Sequence, residues 1–266
     1  GYENGFTDLE VGPTVELNES EVEEIKSSGK IDISALTYCR NFLTSDEELA
    51  KTYKDNILKR IELAGKYNIK KVICSTGVSE DSFDGVRWNP MLSLDKSVEF
   101  LKVMVEKAEE NNVTLCVENC PMMGNIAVSP YMWNEIFNRI DSDKLQLAYD
   151  PSHLIWQFID PYTPVLEFGD KIAHVHAKDT EINYETLKRT GISFNPKEGE
   201  IDSSGWWRYR VPGLGELDWN KFIDHLNQVG FNGTISIEHE DPVWEGTQEK
   251  VKAGLIRGQK HLKQFM

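Results

Sequence analysis

Short runs of β-branched and apolar residues alternate with longer amphipathic segments along almost the whole chain, and this alternation constrains the fold more than any other feature. The short runs are Phe6–Val11, Ile31–Tyr38, Lys71–Ser75, Thr114–Asn119, Leu145–Asp150, Ile172–Ala177 and Thr234–His239. Helical patterns occupy Glu19–Ser28, Asp46–Tyr67, Leu94–Asn111, Pro130–Arg139, Pro161–Phe168, Asp218–Val229 and Thr247–Phe265. In Asp46–Tyr67 the apolar positions Leu49, Tyr53, Ile57, Ile61 and Ala64 recur at helical spacing behind the capping cluster Thr44-Ser45-Asp46.

Alternating strands and helices demand a parallel sheet, which closes either as a doubly wound sheet or as an eightfold barrel. No strand-like run is followed by the Gly-x-Gly-x-x-Gly phosphate turn of the first class, so the expected fold is a single (β/α)8 TIM barrel over residues 1–266. Seven strands are legible where the barrel has eight, and Gly1–Gly5 reads as the end of a helix. The first βα unit is therefore expected to be absent from this chain, with roughly 20–30 further residues before Gly1. One stretch, Lys178–Leu217, breaks the rhythm as a long polar loop holding Trp206, Trp207, Arg208 and Arg210. A loop of this length between a strand and a helix is expected to be a lid over the pocket, the alternative being a plain surface excursion.

The net charge of −15 repels phosphate backbones, so nucleic acid is not an expected partner, whereas divalent cations are concentrated by such a surface. No apolar run approaches the length of a membrane span. Cys39, Cys74, Cys116 and Cys120 form no C-x-x-C pair and are expected to be reduced packing thiols of a cytoplasmic protein, although a removed targeting peptide stays open.

Barrel active sites lie at the carboxyl ends of the strands. Four successive strands end in metal-binding residue types: Glu118 in Val-Glu-Asn, Asp150 before Pro-Ser-His, His176 in His-Val-His-Ala-Lys-Asp, and Glu238 in Ile-Glu-His-Glu. Each alone reads equally well as a polar residue where the backbone meets water; four in a row point to one divalent ion. His174 shares the parity of His176 one layer lower and is expected to be a packing or supporting group, and Glu240 shares the parity of Glu238. Three carboxylates and an imidazole favour manganese, with magnesium, cobalt and zinc also accommodated. Such an ion polarises a sugar carbonyl and acidifies the neighbouring C–H, which a flanking carboxylate can take up.

The motifs Val-Glu-Asn, Asp-Pro-Ser-His, His-Val-His-Ala-Lys-Asp, Pro-Gly-x-Gly-x-x-Asp-Trp and Ile-Glu-His-Glu, in that order, resemble the xylose isomerase-like barrel superfamily, near its sugar phosphate isomerase/epimerase branch. The resemblance runs from about Gly5 to Phe265. It implies that Glu118 and Glu238 are both ligands and the acid/base pair, that His153 binds a substrate oxygen, and that Arg208 or Arg210 contacts substrate, the register between the two staying open. Lys178 is assigned to substrate with them. Trp206 and Trp207 suit stacking on a sugar ring or packing beneath the loop in equal measure.

The implied activity is a metal-dependent sugar or sugar-phosphate isomerase or epimerase. The alternatives are a lyase or dehydratase on the same scaffold, for example one acting on 3-keto-glycosides, and a non-catalytic sugar-binding protein. The expected partner is a small-molecule carbohydrate, in a chain compatible with a homo-oligomer. A DNA-repair endonuclease of the related barrels needs histidines on the early strands, which here end in Leu36-Thr37-Tyr38 and Ser75-Thr76-Gly77.

Overall fold

The computed structural model describes residues 2–12, 19–83, 88–121, 124–192 and 205–266. It divides into two compact units, Gly1–Tyr149 and Asp150–Met266. The first holds five parallel strands, β1 (Asp8–Val11), β2 (Asp32–Tyr38), β3 (Lys71–Cys74), β4 (Thr114–Glu118) and β5 (Leu145–Tyr149), each paired with the next. Between them run α1 (Glu19–Ser28), α2 (Glu47–Lys66), α3 (Leu94–Glu110) and α4 (Pro130–Phe137). Strands β2 to β5 are buried along nearly their whole length, as helices on the sheet require, and this is why they read as apolar runs without alternation.

Helix α2 starts where the sequence places its cap: the Asp46 carboxylate accepts the Leu49 N–H at 3.0 Å. Its buried stripe is Ile57, Ile61 and Ala64. Both α2 and α3 stop on an asparagine of left-handed backbone, Asn68 (φ 56°) and Asn112 (φ 53°), before the chain turns into the next strand.

In the second unit β6 (Ile172–Ala177) pairs parallel with β9 (Thr234–Ile237). Among the described residues β1 is paired on one edge, to β2, and β9 on one edge, to β6. Helices α5 (Pro151–Trp156), α6 (Thr163–Glu167), α7 (Tyr184–Thr190), α8 (Trp219–Gln228) and α9 (Gln248–Leu262) complete the unit.

The described residues of the segment expected as a continuous loop include regular structure. It forms an antiparallel hairpin of β7 (Asp179–Ile182) and β8 (Trp207–Arg210), with α7 inside the connection. Its stretch 193–204 lies outside the described residues. In β8 Trp207 and Tyr209 are buried while Arg208 and Arg210 are half-buried, the alternation of a strand with one covered face. The covered face lies on α5, where the Thr180 hydroxyl donates to the Ser152 carbonyl at 2.8 Å and Trp207 stacks on Trp156 at 4.7 Å.

The Pro-Gly-x-Gly-x-x-Asp-Trp motif is a cradle for one carboxylate. Asp179 is fully buried and accepts N–H bonds from Thr180 (2.9 Å), Gly213 (3.0 Å), Leu217 (3.1 Å) and the Trp219 indole (3.0 Å). A side chain at Gly215 would meet Asp179 Oδ1 at 2.3 Å, and Gly213 has φ +85°, so both glycines are fixed by this packing. Burial raises the Asp179 pKa in spite of its four donors. No helix of the described residues is long and apolar enough to cross a membrane.

Candidate metal and sugar site

Strands β6 and β9 run in register, with His176 opposite Ser236 and Ala177 opposite Ile237. The next residues, Lys178 and Glu238, therefore come level past the strand ends, and the Lys178 ammonium donates to Glu238 Oε2 at 2.6 Å. The same ammonium donates to Glu240 Oε2 at 2.8 Å and lies 3.2 Å from Asp150 Oδ2. Asp150 caps α5, its Oδ1 accepting the Ser152 N–H at 2.8 Å. His176 Nδ1 sits 3.7 Å from Glu238 Oε2, and the ring of His174 meets that of His176 edge-on at 5.3 Å.

Asp150, His176 and Glu238 each offer a ligand atom within 4.8 Å of the others, a spacing that suits one ion and its first coordination sphere. The charge suits it as well. Asp150, Glu238 and Glu240 bring three negative charges to the one ammonium of Lys178, so the cluster keeps a net negative charge that attracts a cation. Lys178 is fully buried, which would lower its pKa, but Glu238, Asp150 and Glu240 together hold it well above the ordinary lysine value. Lys178→Met is therefore expected to tighten divalent-ion binding about tenfold, because it removes one charge that repels the ion. Calorimetric titration with manganese checks this, and unchanged or weaker binding would contradict it.

Of the residues assigned to substrate, His153 and Lys178 lie at this cluster: His153 Nε2 is 3.2 Å from Asp150 Oδ2. Arg210 is anchored on Asp241 (Nε to Oδ2, 2.9 Å) and on Glu181, while Arg208 forks onto Glu181 at 2.9–3.1 Å. Trp207 stacks on Trp156, and Trp206 on Phe158 at 5.8 Å, so both rings are engaged in packing. Tyr209 was not singled out by the motifs, yet its hydroxyl lies 2.9 Å from His153 Nδ1. The only signal for it in the sequence is its place between two arginines in an alternating strand.

In the first unit Glu118 is the last residue of β4 and is buried. Its Oε2 accepts a hydrogen bond from the Cys39 thiol at 3.5 Å, and its carbonyl accepts from Asn125 Nδ2 at 2.7 Å. Asn125 is itself buried and tied to Thr76, which anchors the Glu118 backbone. Burial, reinforced by the charge of Glu118, pushes the Cys39 thiol up, so it stays protonated as the donor. All four cysteines are free thiols.

A family profile described as xylose isomerase-like TIM barrel matches residues 3–265. The chain belongs to this family. YfiH of Bacillus subtilis is 30% identical over 213 residues, which cover 73% of this chain and 67% of YfiH. Inosose dehydratase of Lacticaseibacillus casei is 27% identical over 113 residues, covering 41% of this chain, and the match spans only 35% of the dehydratase.

Two solved structures superpose over nearly the whole chain. A D-tagatose 3-epimerase-like protein does so with TM-score 0.72 and 20% identity, covering 99% of this chain and 91% of its own. The IolI protein with a bound zinc atom does so with TM-score 0.74 and 18% identity, covering 100% of this chain and 91% of its own. The family and these likenesses establish the TIM-barrel fold that the strand–helix alternation leads one to expect. The proteins this chain is similar to thus include an epimerase-like protein and a dehydratase, and the grouped carboxylates and imidazole support a divalent metal.

Proposed function

We propose that this protein is a divalent-metal-dependent isomerase or epimerase of sugars, with one ion held by Glu118, Asp150, His176 and Glu238. The observation that carries the reading is the group of Asp150, His176 and Glu238, each offering a ligand atom within 4.8 Å of the others, in a cluster whose carboxylates outnumber the one ammonium of Lys178. Glu118 is assigned to the same ion because it ends β4, and the carboxyl ends of TIM-barrel strands form one functional face.

When bound, the ion would supply Lewis-acid polarisation of a sugar carbonyl. Manganese is proposed on the oxygen-rich donor set, and the zinc of IolI makes zinc the first alternative. The protein's own residues move the proton. Of Glu118 and Glu238, one takes it from the carbon beside the carbonyl and the other returns it. Lys178 donates to Glu238 Oε2 and so fixes the position of that carboxylate. His153 and Arg210 orient substrate oxygens, and the hairpin with Trp206 and Trp207 walls the pocket against water.

The cations of the second unit's cluster are already paired: Lys178 with three carboxylates, Arg210 with Asp241 and Glu181, Arg208 with Glu181. This favours an unphosphorylated sugar over a sugar phosphate. A dehydratase acting on a cyclic ketone is the second reading, favoured by the match to inosose dehydratase.

One experiment separates them: manganese-loaded protein is incubated in D2O with free ketoses, their phosphates and a cyclic polyol ketone, and the products are followed by NMR. The expected result is an isomer or epimer of a free ketose carrying deuterium beside the carbonyl, lost on chelation. A product short of one water supports the dehydratase. Binding without exchange or water loss would leave only the non-catalytic sugar-binding reading.

A further inference from the structure

Strands β3 and β4 are joined by a parallel ladder in which Cys74 lies opposite Val117 and the Thr114 N–H donates to the Lys70 carbonyl at 2.8 Å. The rungs of a parallel ladder are evenly spaced, two residues apart on each strand. Carried on in this register past Cys74, the ladder would join the Thr76 N–H to the Glu118 carbonyl. In place of that rung stands the side-chain amide of Asn125. The Thr76 N–H donates to Asn125 Oδ1 at 3.1 Å, and Asn125 Nδ2 donates to the Glu118 carbonyl at 2.7 Å.

The partners of this amide fix which way it faces. Oδ1 also accepts from the Thr76 hydroxyl at 2.8 Å and from the Ala127 N–H at 3.2 Å, while Nδ2 also donates to the Cys120 carbonyl at 2.8 Å. Backbone N–H groups only donate and carbonyls only accept, so the oxygen and the nitrogen cannot be exchanged. Asn125 is buried, and the Thr76 hydroxyl accepts in turn from the Ile126 N–H at 2.8 Å. We propose that Asn125 is a positioning residue for Glu118: its amide is a spacer that keeps the end of β4 apart from β3 and so sets where the Glu118 carboxylate stands. The Cys39 thiol, 3.5 Å from Oε2, holds the side chain, and Asn125 holds the backbone that carries it.

Two substitutions remove the spacer in different ways. Alanine leaves a gap across which the Thr76 N–H can close onto the Glu118 carbonyl. Aspartate keeps the size and the acceptor but sets a second oxygen against the Glu118 and Cys120 carbonyls, with no donor for either. The effect on ion binding rests on the proposed metal site; the spacer does not.

The test is calorimetric titration with manganese and thermal melting of Asn125→Ala, Asn125→Asp and Thr76→Val, with crystal structures of the two Asn125 variants. Thr76→Val takes a hydroxyl from the same knot but leaves the Thr76 N–H and both amide donors in place, so it shows what loosening the knot alone does. Both Asn125 variants are expected to bind manganese about 10- to 100-fold more weakly, and Thr76→Val to melt lower with its affinity within about twofold of the wild type. In the alanine crystal the Thr76 N–H is expected to bond the Glu118 carbonyl directly, and in the aspartate crystal that carbonyl turns away from residue 125. Should the alanine variant fail to fold, the aspartate variant carries both readouts. Melting temperatures that fall in all three variants with manganese affinity unchanged would overturn the proposal, and so would a Glu118 that has not moved in the variant crystals. If the wild type binds no manganese, the proposed metal site fails, while the crystals still decide whether the amide is a spacer.

Discussion

Glu238→Gln is expected to lower turnover about a thousandfold or more, even at saturating manganese. General acid–base catalysis by one positioned group contributes on the order of 10²–10⁴-fold, and an amide cannot take up the proton. The substitution also carries a secondary effect that the geometry makes explicit. Glu238 Oε2 accepts from Lys178, so the glutamine will turn its oxygen to that ammonium and its NH2 toward the ion. Ion affinity therefore falls as well, and turnover has to be read across a manganese titration so that the two losses separate. Glu118→Gln is expected to give a loss of the same order, without the Lys178 complication. Near-native turnover of either variant at saturating metal would remove that residue from the acid/base pair.

The second large effect is on stability. Asp179→Ala leaves four N–H donors without their acceptor: those of the buried Thr180, Leu217 and Trp219 indole, and that of Gly213. Each orphaned donor costs roughly 1–3 kcal/mol before relaxation, so a total loss of about 4 kcal/mol or more is expected. For a chain of this length that corresponds to a melting temperature lower by roughly 10 °C. The loss should also depend on pH in a defined direction. Burial holds the Asp179 pKa above its ordinary value of 3.8, so its titration favours the folded state most at low pH and that contribution fades as the pH rises through the elevated value. The gap between wild type and Asp179→Ala is therefore expected to widen as the pH is lowered toward 3.8. Differential scanning calorimetry across this range checks both statements. A variant that melts within a degree or two of the wild type would show that the cradle is not a stability element.

Much of this was legible before the structure because buried parallel strands advertise themselves as short apolar runs. Ile172–Ala177 is a strand over the range its composition indicates, and the other six runs differ only in a residue or two at their ends. What the alternation could not reveal was the hairpin. Its strands β7 and β8 are four residues each and separated by a long polar connection, too short for a periodic signal. The helix α5 was also hidden, since it begins on the strand-end residue Asp150, whose side chain caps it. A residue that ends one element and starts the next looks, in the sequence, like a motif on a loop.

Side-chain roles were less legible than element positions, for a geometric reason. The choice between Arg208 and Arg210 depends on what each reaches: both bond Glu181, and only Arg210 also bonds the buried Asp241. The ion pair of Lys178 with Glu238 follows from the β6–β9 register, which joins strands that are not consecutive in the chain. Tyr209 carries no metal-binding or acid–base signature, and its importance comes entirely from the hydroxyl's distance to His153.

One divalent ion is proposed to be held jointly by Glu118, Asp150, His176 and Glu238. Anomalous diffraction from crystals soaked in manganese, recorded on both sides of the absorption edge, tests it most directly. A single peak is predicted, with oxygen from Glu118, Asp150 and Glu238 and a nitrogen of His176 at roughly 2.0–2.3 Å from it. A peak bounded by other residues, a site lacking Glu118, or no peak at saturating manganese would contradict the account.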